Sequence, residues 1–143
     1  MARYEHLPIY KKAFELAKYF DKIVRNFSRY NKYTYGSDLR NLSREILKLI
    51  IRANNAVDKV PHLLEVREKL EELKVIIRLC KELQVFPNFN SFQYSINEVV
   101  NISRQNEGWL SRFQGKKTSE VSETSEVLEV VEQDKPEFPF VNR

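Results

Sequence analysis

The sequence predicts an all-α fold, an antiparallel up-and-down four-helix bundle, and three observations support that prediction. The chain is 42% hydrophobic and 31% charged with three glycines and five prolines, a composition typical of helical globular proteins. Apolar residues recur three and four positions apart, as they do along one face of a helix. Four segments of roughly 20 residues, joined by short connections, show this pattern, which is that of an up-and-down bundle.

The first predicted helix begins at Pro8, because proline is favoured at the first helical position. It ends near residues 28–31, and its predicted apolar stripe is Tyr10, Ala13, Phe14, Ala17, Phe20, Val24 and Phe27. Gly36 is predicted to form a turn, with Ser37 or Asp38 capping the second helix. The second apolar stripe is Leu39, Leu42, Ile46, Leu49, Ile50, Ala53 and Val57.

The third helix is predicted to begin at Pro61 and to stop before Pro87. Its stripe alternates without a break, as in a coiled coil: Leu63, Val66, Leu70, Leu73, Ile77 and Cys80. Asn88, Asn90 or Ser91 is predicted to cap a fourth helix. The inward positions of that helix are predicted to be Phe92, Ile96, Val99, Ser103, Asn106, Leu110 and Phe113.

The chain changes character after residue 113, so we divide it into a bundle, residues 1–113, and a tail, residues 114–143. The tail carries four basic and seven acidic side chains and is rich in Ser and Glu. This composition predicts a flexible, solvated segment. A short strand or docking segment near residues 127–131 is the alternative.

Positive charge is concentrated in the first half of the chain. Residues 1–59 hold 13 basic and 6 acidic side chains. At about 100° per residue, the basic side chains of the first three helices fall into rows away from the apolar stripes. The residues of these rows, which we predict to bind an anionic partner such as nucleic acid, are Lys11, Lys18, Lys22, Arg25, Arg29, Arg40, Arg44, Lys48, Arg52, Arg67, Lys74, Arg78 and Lys81.

Rows of like charge distinguish these faces from ordinary solvated ones. Like charges four positions apart on a helix repel by a few tenths of a kcal/mol per pair, and most exposed faces therefore mix the two signs. An anionic ligand such as a phosphate backbone would relieve the repulsion. The alternative reading is a charged face that serves solubility alone.

Two further groups of residues suggest contacts with other molecules. Apolar residues beyond the single stripe that a bundle helix needs predict a homo-oligomer interface, although isolated exposed leucines are common in monomers. They are Leu47, Ile51, Ile76, Leu79 and Leu83. Tyr30, Tyr33 and Tyr35 lie in the basic connection between the first two helices, where tyrosines either stack on bases or cap the end of a bundle.

No motif in the sequence predicts catalysis, a cofactor or a metal site. The single cysteine, Cys80, is expected to pack in the core rather than act as a nucleophile. No apolar run reaches the ~18 residues of a membrane span, and the first ten residues lack the order of a signal peptide. We therefore expect a cytoplasmic binding protein.

Several stretches together resemble the accessory variability determinant (Avd-like) proteins of diversity-generating retroelements. They are LPIYKKAFELAKYF from Leu7, YTYGSDL from Tyr33, LSREILKLIIRANNA from Leu42, LLEVREKLEELKVIIRLCKELQV from Leu63 and GWLSRF from Gly108. A wider resemblance is to the four-helix proteins encoded in intervening sequences of bacterial 23S ribosomal RNA genes.

The first resemblance implies a basic bundle that assembles as a homopentameric barrel. It implies binding to the reverse transcriptase of the same element and to its template RNA, with DNA as a further ligand, in support of mutagenic reverse transcription and retrohoming. The basic residues above would then be the nucleic-acid and polymerase contacts, and the additional apolar residues the subunit contacts. The second resemblance implies the alternative, a structural helical oligomer with no nucleic-acid role.

Overall fold

The computed structural model describes residues 3–118, with side chains from 4 to 114, and all regular structure in this range is helical. A 3-10 turn, Arg3–His6, precedes five α-helices. They are α1 Pro8–Val24, α2 Arg29–Tyr33, α3 Tyr35–Asn55, α4 Val60–Glu82 and α5 Phe89–Thr118. The predicted all-α class with four long helices is confirmed, and the short α2 is an addition to it.

The chain divides into two compact units after Leu110, and the core described below belongs to the first of them. Helix α5 continues to Thr118, so residues 114–118 are helical, although the predicted boundary placed them in the tail. The rest of the predicted tail, residues 119–143, lies outside the described residues. The division at residue 113 therefore stays a prediction.

The four long helices pack in the order α1, α3, α4, α5. Contacts join α1 to α3 and α3 to α4. Helix α5 is joined to α1 by an ion pair between Lys12 Nζ and Glu98 Oε1, 3.4 Å apart. At its other side, Asn106 of α5 lies beside the first turn of α4, whereas Phe92 lies beside Lys81 in the last turn. Helices α4 and α5 are therefore antiparallel.

The predicted stripe of α4 is confirmed at every position, because all six residues are buried. In α1 the stripe is wrong in part: Ile9 and Leu16 are buried in the core, whereas Phe14 is 41% exposed. Residues 9, 13, 16, 20 and 24 also recur three or four positions apart, and these are the residues that pack in the core. Tyr10 and Ala17 are half-buried at its edge.

The predicted turn at Gly36 is wrong, since α3 begins at Tyr35 and Gly36 lies buried in its first turn. Its φ is not positive. A Cβ added to Gly36 would lie 2.5 Å from Val24 Cγ1 and 3.2 Å from the carbonyl oxygen of Asn31. Glycine is needed here because α3 begins against the end of α1, not because the backbone turns.

The α3–α4 connection is held by a lysine rather than by an apolar contact. Lys59 Nζ donates hydrogen bonds to the carbonyl oxygens of Ala53, Asn54 and Ala56, at 3.1, 2.9 and 2.9 Å. A cation at a helix C-terminus pairs with unsatisfied carbonyls and with the helix dipole. The prediction that Val57 belongs to the apolar stripe is wrong, because it lies after the end of α3 and is fully exposed.

Helix α5 begins as predicted with an asparagine cap, because Asn88 Oδ1 accepts a hydrogen bond of 2.8 Å from Ser91 N. The helix is rotated relative to the predicted stripe. Val99, Asn106 and Leu110 are buried as predicted, but the other predicted inward positions are only half-buried: Phe92, Ile96, Ser103 and Phe113. The remaining buried positions are Ser91, Ser95, Ile102 and Trp109.

Asn106 is a completely buried polar residue at the α4–α5 contact. Its Nδ2 donates to the carbonyl oxygen of Leu63 at 3.1 Å, while its Oδ1 has no hydrogen-bond partner in the described structure. An unpaired buried acceptor is costly, whereas an amide matched to one specific carbonyl disfavours sliding of the helices. Asn106 therefore favours this register of α5 on α4.

Gly36 and Gly108 provide a matched test of the packing. Gly36→Ala is expected to lower the free energy of unfolding by about 1–3 kcal/mol, because the new methyl group overlaps Val24. Gly108→Ala is expected to raise it by about 0.5–1 kcal/mol, because a Cβ at this exposed helical position meets nothing within 4 Å. Denaturant unfolding of both variants measures the difference, and shifts of the same sign would contradict it.

Candidate nucleic-acid interface

An aspartate at the α1–α3 contact gathers three arginines. Asp21 Oδ2 accepts a hydrogen bond of 3.1 Å from Nη2 of Arg25, the residue that follows the last residue of α1. Asp21 Oδ1 lies 3.3 Å from Arg40 Nε and 3.5 Å from Arg44 Nη2, both in α3. Arg40 Nη2 also donates to the backbone carbonyl of Asp21 at 2.9 Å. One carboxylate thus faces three guanidinium groups.

The excess of positive charge shows in the titration of Asp21. Its pKa is lowered, first by the hydrogen bond from Arg25 and then by the charges of Arg40, Arg25 and Arg44. A lowered pKa stabilises the folded state above the carboxyl group's ordinary pKa, and this contribution is lost as the pH falls through the lowered value. At neutral pH Asp21 is ionised, and the cluster keeps a net positive charge.

Exposed cations extend this cluster along α1, along α3 and, at Arg29, to the start of α2. The basic face is defined here as the cluster's arginines with their neighbours: Lys11, Lys18, Lys22, Arg25, Arg29, Arg40, Arg44, Lys48 and Arg52. Lys18 lies 3.7 Å from Glu15 Oε2 and over the ring of Phe14. Among the described residues, Lys22, Lys48 and Arg52 form no ion pair.

The geometry of α3 explains why its basic row is exposed. Arg44, Lys48 and Arg52 succeed one another at four-residue intervals, about 160° around the helix from the buried residues such as Leu39 and Ile46. All three are exposed, whereas Arg40 is half-buried against α1. The expectation that the row turns away from the core is confirmed for this helix.

The expectation that the basic row of α4 also faces outward is wrong. Arg67 donates two hydrogen bonds to Glu107 of α5, from Nε at 2.9 Å and from Nη2 at 2.7 Å. Lys81 lies 5.0 Å from the centre of the Phe92 ring, also in α5. The row stands only about 90° from the buried stripe of α4, so it lies beside α5.

The other two cations of the α4 row pair within their own helix. Lys74 Nζ is 3.0 Å from Glu71 Oε2, and Arg78 Nε is 3.9 Å from Glu82 Oε2. About one fifth of each basic side chain is exposed. The binding role predicted for these four cations is untested, but their surroundings are those of a helix contact.

The five predicted interface residues are not equivalent. Leu47, Ile51 and Ile76 are half-buried within the single chain, whereas Leu79 and Leu83 are exposed. The structure adds Val75, which is 53% exposed and lies one turn before Leu79. Its four-residue spacing to Leu79 and Leu83 is the sequence signal that identifies it. We call Val75, Leu79 and Leu83 the α4 outer row.

The tyrosines between α1 and α3 differ in exposure. Tyr30 and Tyr33 are 71% and 70% exposed, whereas Tyr35 is half-buried. Only Tyr35 has the partial burial expected of a residue that caps the bundle. Trp109 is buried in the core.

Cys80 is completely buried, and desolvation raises its pKa to about 12, with a smaller effect from Asp38. At neutral pH it is a thiol rather than a nucleophilic thiolate, as expected for a core residue. The described residues contain no group of three or more His, Cys, Asp or Glu placed to hold a metal ion. None of the described helices combines the length and apolar character required to cross a membrane.

Fold and surface together define a small helical bundle with a basic face formed by two adjacent helices. A family model described as bAvd-like matches residues 7–113, and the chain belongs to the bAvd-like family. The resemblance inferred from the sequence motifs is thereby confirmed. Comparisons with curated proteins and with solved structures found no match.

Proposed function

We propose that this protein is a non-enzymatic accessory subunit of a diversity-generating retroelement, acting in the cytoplasm. It binds the element's reverse transcriptase and its template RNA or complementary DNA, and so supports mutagenic reverse transcription and retrohoming. Membership in the bAvd-like family supports the retroelement assignment. The basic face supports the choice of a polyanionic ligand.

The observation that carries the proposal is the unbalanced charge at the α1–α3 contact. Arg25, Arg40 and Arg44 share the single carboxylate of Asp21. Guanidinium groups bind phosphate oxygens through paired, charge-assisted hydrogen bonds. Exposed Lys48 and Arg52 continue the row along α3, as required for contacts with several successive phosphates.

The basic face is centred on α1 and α3, since the cations of α4 lie against α5. A surface that binds phosphates without reading bases binds RNA and DNA alike, and its affinity falls steeply with salt. The proposal that this protein also contacts the reverse transcriptase rests on its family membership. Part of the basic face, or another surface, would then meet the polymerase.

The second candidate function is a structural helical oligomer without a nucleic-acid role. It is favoured by the α4 outer row, whose exposed apolar side chains suit a protein contact. The two candidates share self-assembly, as a homopentamer by family resemblance, and differ in their response to RNA. The accessory subunit binds RNA in a salt-dependent manner, and the structural oligomer does not bind it.

Reversing the α3 row tests the basic face. The triple variant Arg44→Glu, Lys48→Glu, Arg52→Glu is expected to fold and to lose RNA binding, because three phosphate contacts become repulsive. For a single strand, three lost contacts also reduce the slope of log affinity against log salt by about 2. Fluorescence anisotropy with labelled RNA across a salt series measures both quantities.

The single variant Arg52→Glu has a matched control in Arg104→Glu. Arg104 is exposed on α5, diagonally across the bundle from α3. Its reversal changes net charge as much as Arg52→Glu does, but it leaves the basic face intact. Equal losses of RNA affinity for Arg52→Glu and Arg104→Glu would show that binding responds to net charge alone. RNA binding by the triple variant at wild-type strength would refute the proposed face.

Neutralising Asp21 tests the same face with a variant that is expected to strengthen RNA binding rather than weaken it. Asp21→Asn removes the carboxylate that the three arginines share, and RNA affinity near 100 mM salt is expected to rise about two- to fivefold, the scale of one exposed ion pair. The salt dependence is expected to steepen. Weaker binding by this variant would show instead that Asp21 is needed to orient the arginines.

Self-assembly is tested on the α4 outer row. Leu79→Lys is expected to shift the protein from its oligomer toward monomer, because a charge would be buried in the subunit contact. Val57→Lys, at a fully exposed apolar position in the α3–α4 connection, is the matched control and is expected to leave assembly unchanged. Light scattering after size-exclusion chromatography measures both, and an unaltered mass for Leu79→Lys would exclude this row from the interface.

A further inference from the structure

Three exposed aromatic residues lie at one end of the bundle, where α1 and α4 end and α3 and α5 begin. Tyr30 and Tyr33 belong to α2, and Phe89 is the first residue of α5; their exposed fractions are 71%, 70% and 60%. The two connections meet through Phe27 and Phe86, whose ring centres are 6.2 Å apart. Both rings are buried, so the two connections pack together through an apolar contact.

The helix that carries the two tyrosines is anchored by hydrogen bonds at both ends. Ser28 Oγ accepts from Asn31 N at 3.4 Å, which caps the start of α2. Thr34 Oγ1 donates to the carbonyl oxygen of Tyr30 at 2.9 Å at its end. Tight packing of Gly36 against Val24 and Asn31 holds the following turn in place. The exposed rings therefore project from an ordered support.

The surroundings of these rings are cationic. From Lys22 to Asp38 the chain has four basic residues and one acidic residue. Arg29 is exposed beside Tyr30, and Arg25 belongs to the cluster around Asp21. The aromatic end is thus continuous with the basic face, and a strand that follows the basic face along α1 toward α2 reaches the tyrosines.

We propose that Tyr30 and Tyr33 stack on unpaired bases of a single-stranded nucleic acid whose phosphates lie along the basic face. The inference rests on the proposed function and narrows its ligand from nucleic acid in general to single strands. Residues three apart on a helix have Cβ atoms about 5–6 Å apart, so two neighbouring bases can each meet a ring. In a duplex the base faces are already stacked and are not available.

The charge distinguishes this ligand from a protein partner. Exposed aromatic rings suit either kind of partner, but rings beside unbalanced arginine and lysine side chains reproduce the pairing of stacking surfaces and cations found in single-strand binding sites. Stacking is tolerant of base identity because every base has a π face. The site therefore favours unpaired regions without selecting a sequence.

The test compares two double variants of the full-length protein. Tyr30→Leu, Tyr33→Leu removes the aromatic rings, whereas Tyr30→Phe, Tyr33→Phe keeps them and removes only the hydroxyl groups. The probes are labelled oligouridine and a duplex RNA of equal length, and circular dichroism checks the fold. The leucine variant is expected to bind oligouridine about tenfold more weakly for each ring lost and to bind duplex as the wild type does. The phenylalanine variant is expected to bind both probes normally.

Each other outcome overturns the inference in a distinguishable way. Normal oligouridine binding by the leucine variant, while reversal of Arg44, Lys48 and Arg52 abolishes it, removes the stacking site and leaves the proposed function intact. Equal loss of both probes assigns the tyrosines to general phosphate binding. If the leucine variant binds RNA normally but no longer co-purifies with the reverse transcriptase, this end of the bundle is a protein contact. Failure of the wild-type protein to bind either probe rejects the proposed function as well.

Discussion

The burial of one apolar stripe from each long helix sets the rotation of that helix about its own axis. The core contains a completely buried large side chain from every one of them: Phe20, Leu39, Ile77 and Ile102. Each such side chain contributes about 1.5–3 kcal/mol through removal of apolar surface from water. Turning any helix to expose its stripe would cost several such contributions at once. This constraint therefore determines which side chains of each helix remain exposed to solvent.

This constraint gives similar basic rows different surroundings on different helices. In α3 the row lies nearly opposite the core; its first member, Arg40, is half-buried against α1, whereas Arg44, Lys48 and Arg52 are exposed to solvent. In α4 the row lies at the side of the helix, next to α5, where Arg67 meets Glu107 and Lys81 meets Phe92. The outer surface of α4 is left to apolar and acidic residues. Two adjacent helices, rather than three, therefore form the basic face.

The sequence predicts best the features that depend on one helix alone. The stripe of α4 is predicted correctly because its six apolar residues alternate by three and four without a break, whereas the additional apolar residues of this helix form no unbroken series. In α1 two registers are both apolar, and the choice of Ile9 and Leu16 over Tyr10 and Ala17 depends on the neighbouring helices. Gly36 is visible in the sequence, but its close approach to Val24 is a contact between helices and has no local signature.

In the candidate site, too, the sequence predicts what depends on local spacing but not the contacts between helices. Asp21 and Arg25 are four positions apart at the end of α1, so their pairing can be predicted from spacing, whereas Arg40 and Arg44 reach Asp21 from 19 and 23 residues away. Periodicity identifies the cations of the basic face but not the carboxylate that three of them share. Similarly, the sequence places Tyr30 and Tyr33 in a connection, while their exposure depends on a short helix that no periodic pattern predicts.

The burial of Cys80 has a practical consequence. The chain contains one cysteine, and burial both shields its sulfur and suppresses the thiolate that reacts with maleimides. A cysteine introduced on the surface can therefore carry a fluorophore or spin label at neutral pH while the native residue stays in place. Distances between copies of the chain in the proposed oligomer, or between the bundle and the proposed nucleic-acid strand, thus become accessible to spectroscopy without altering the packing of α4.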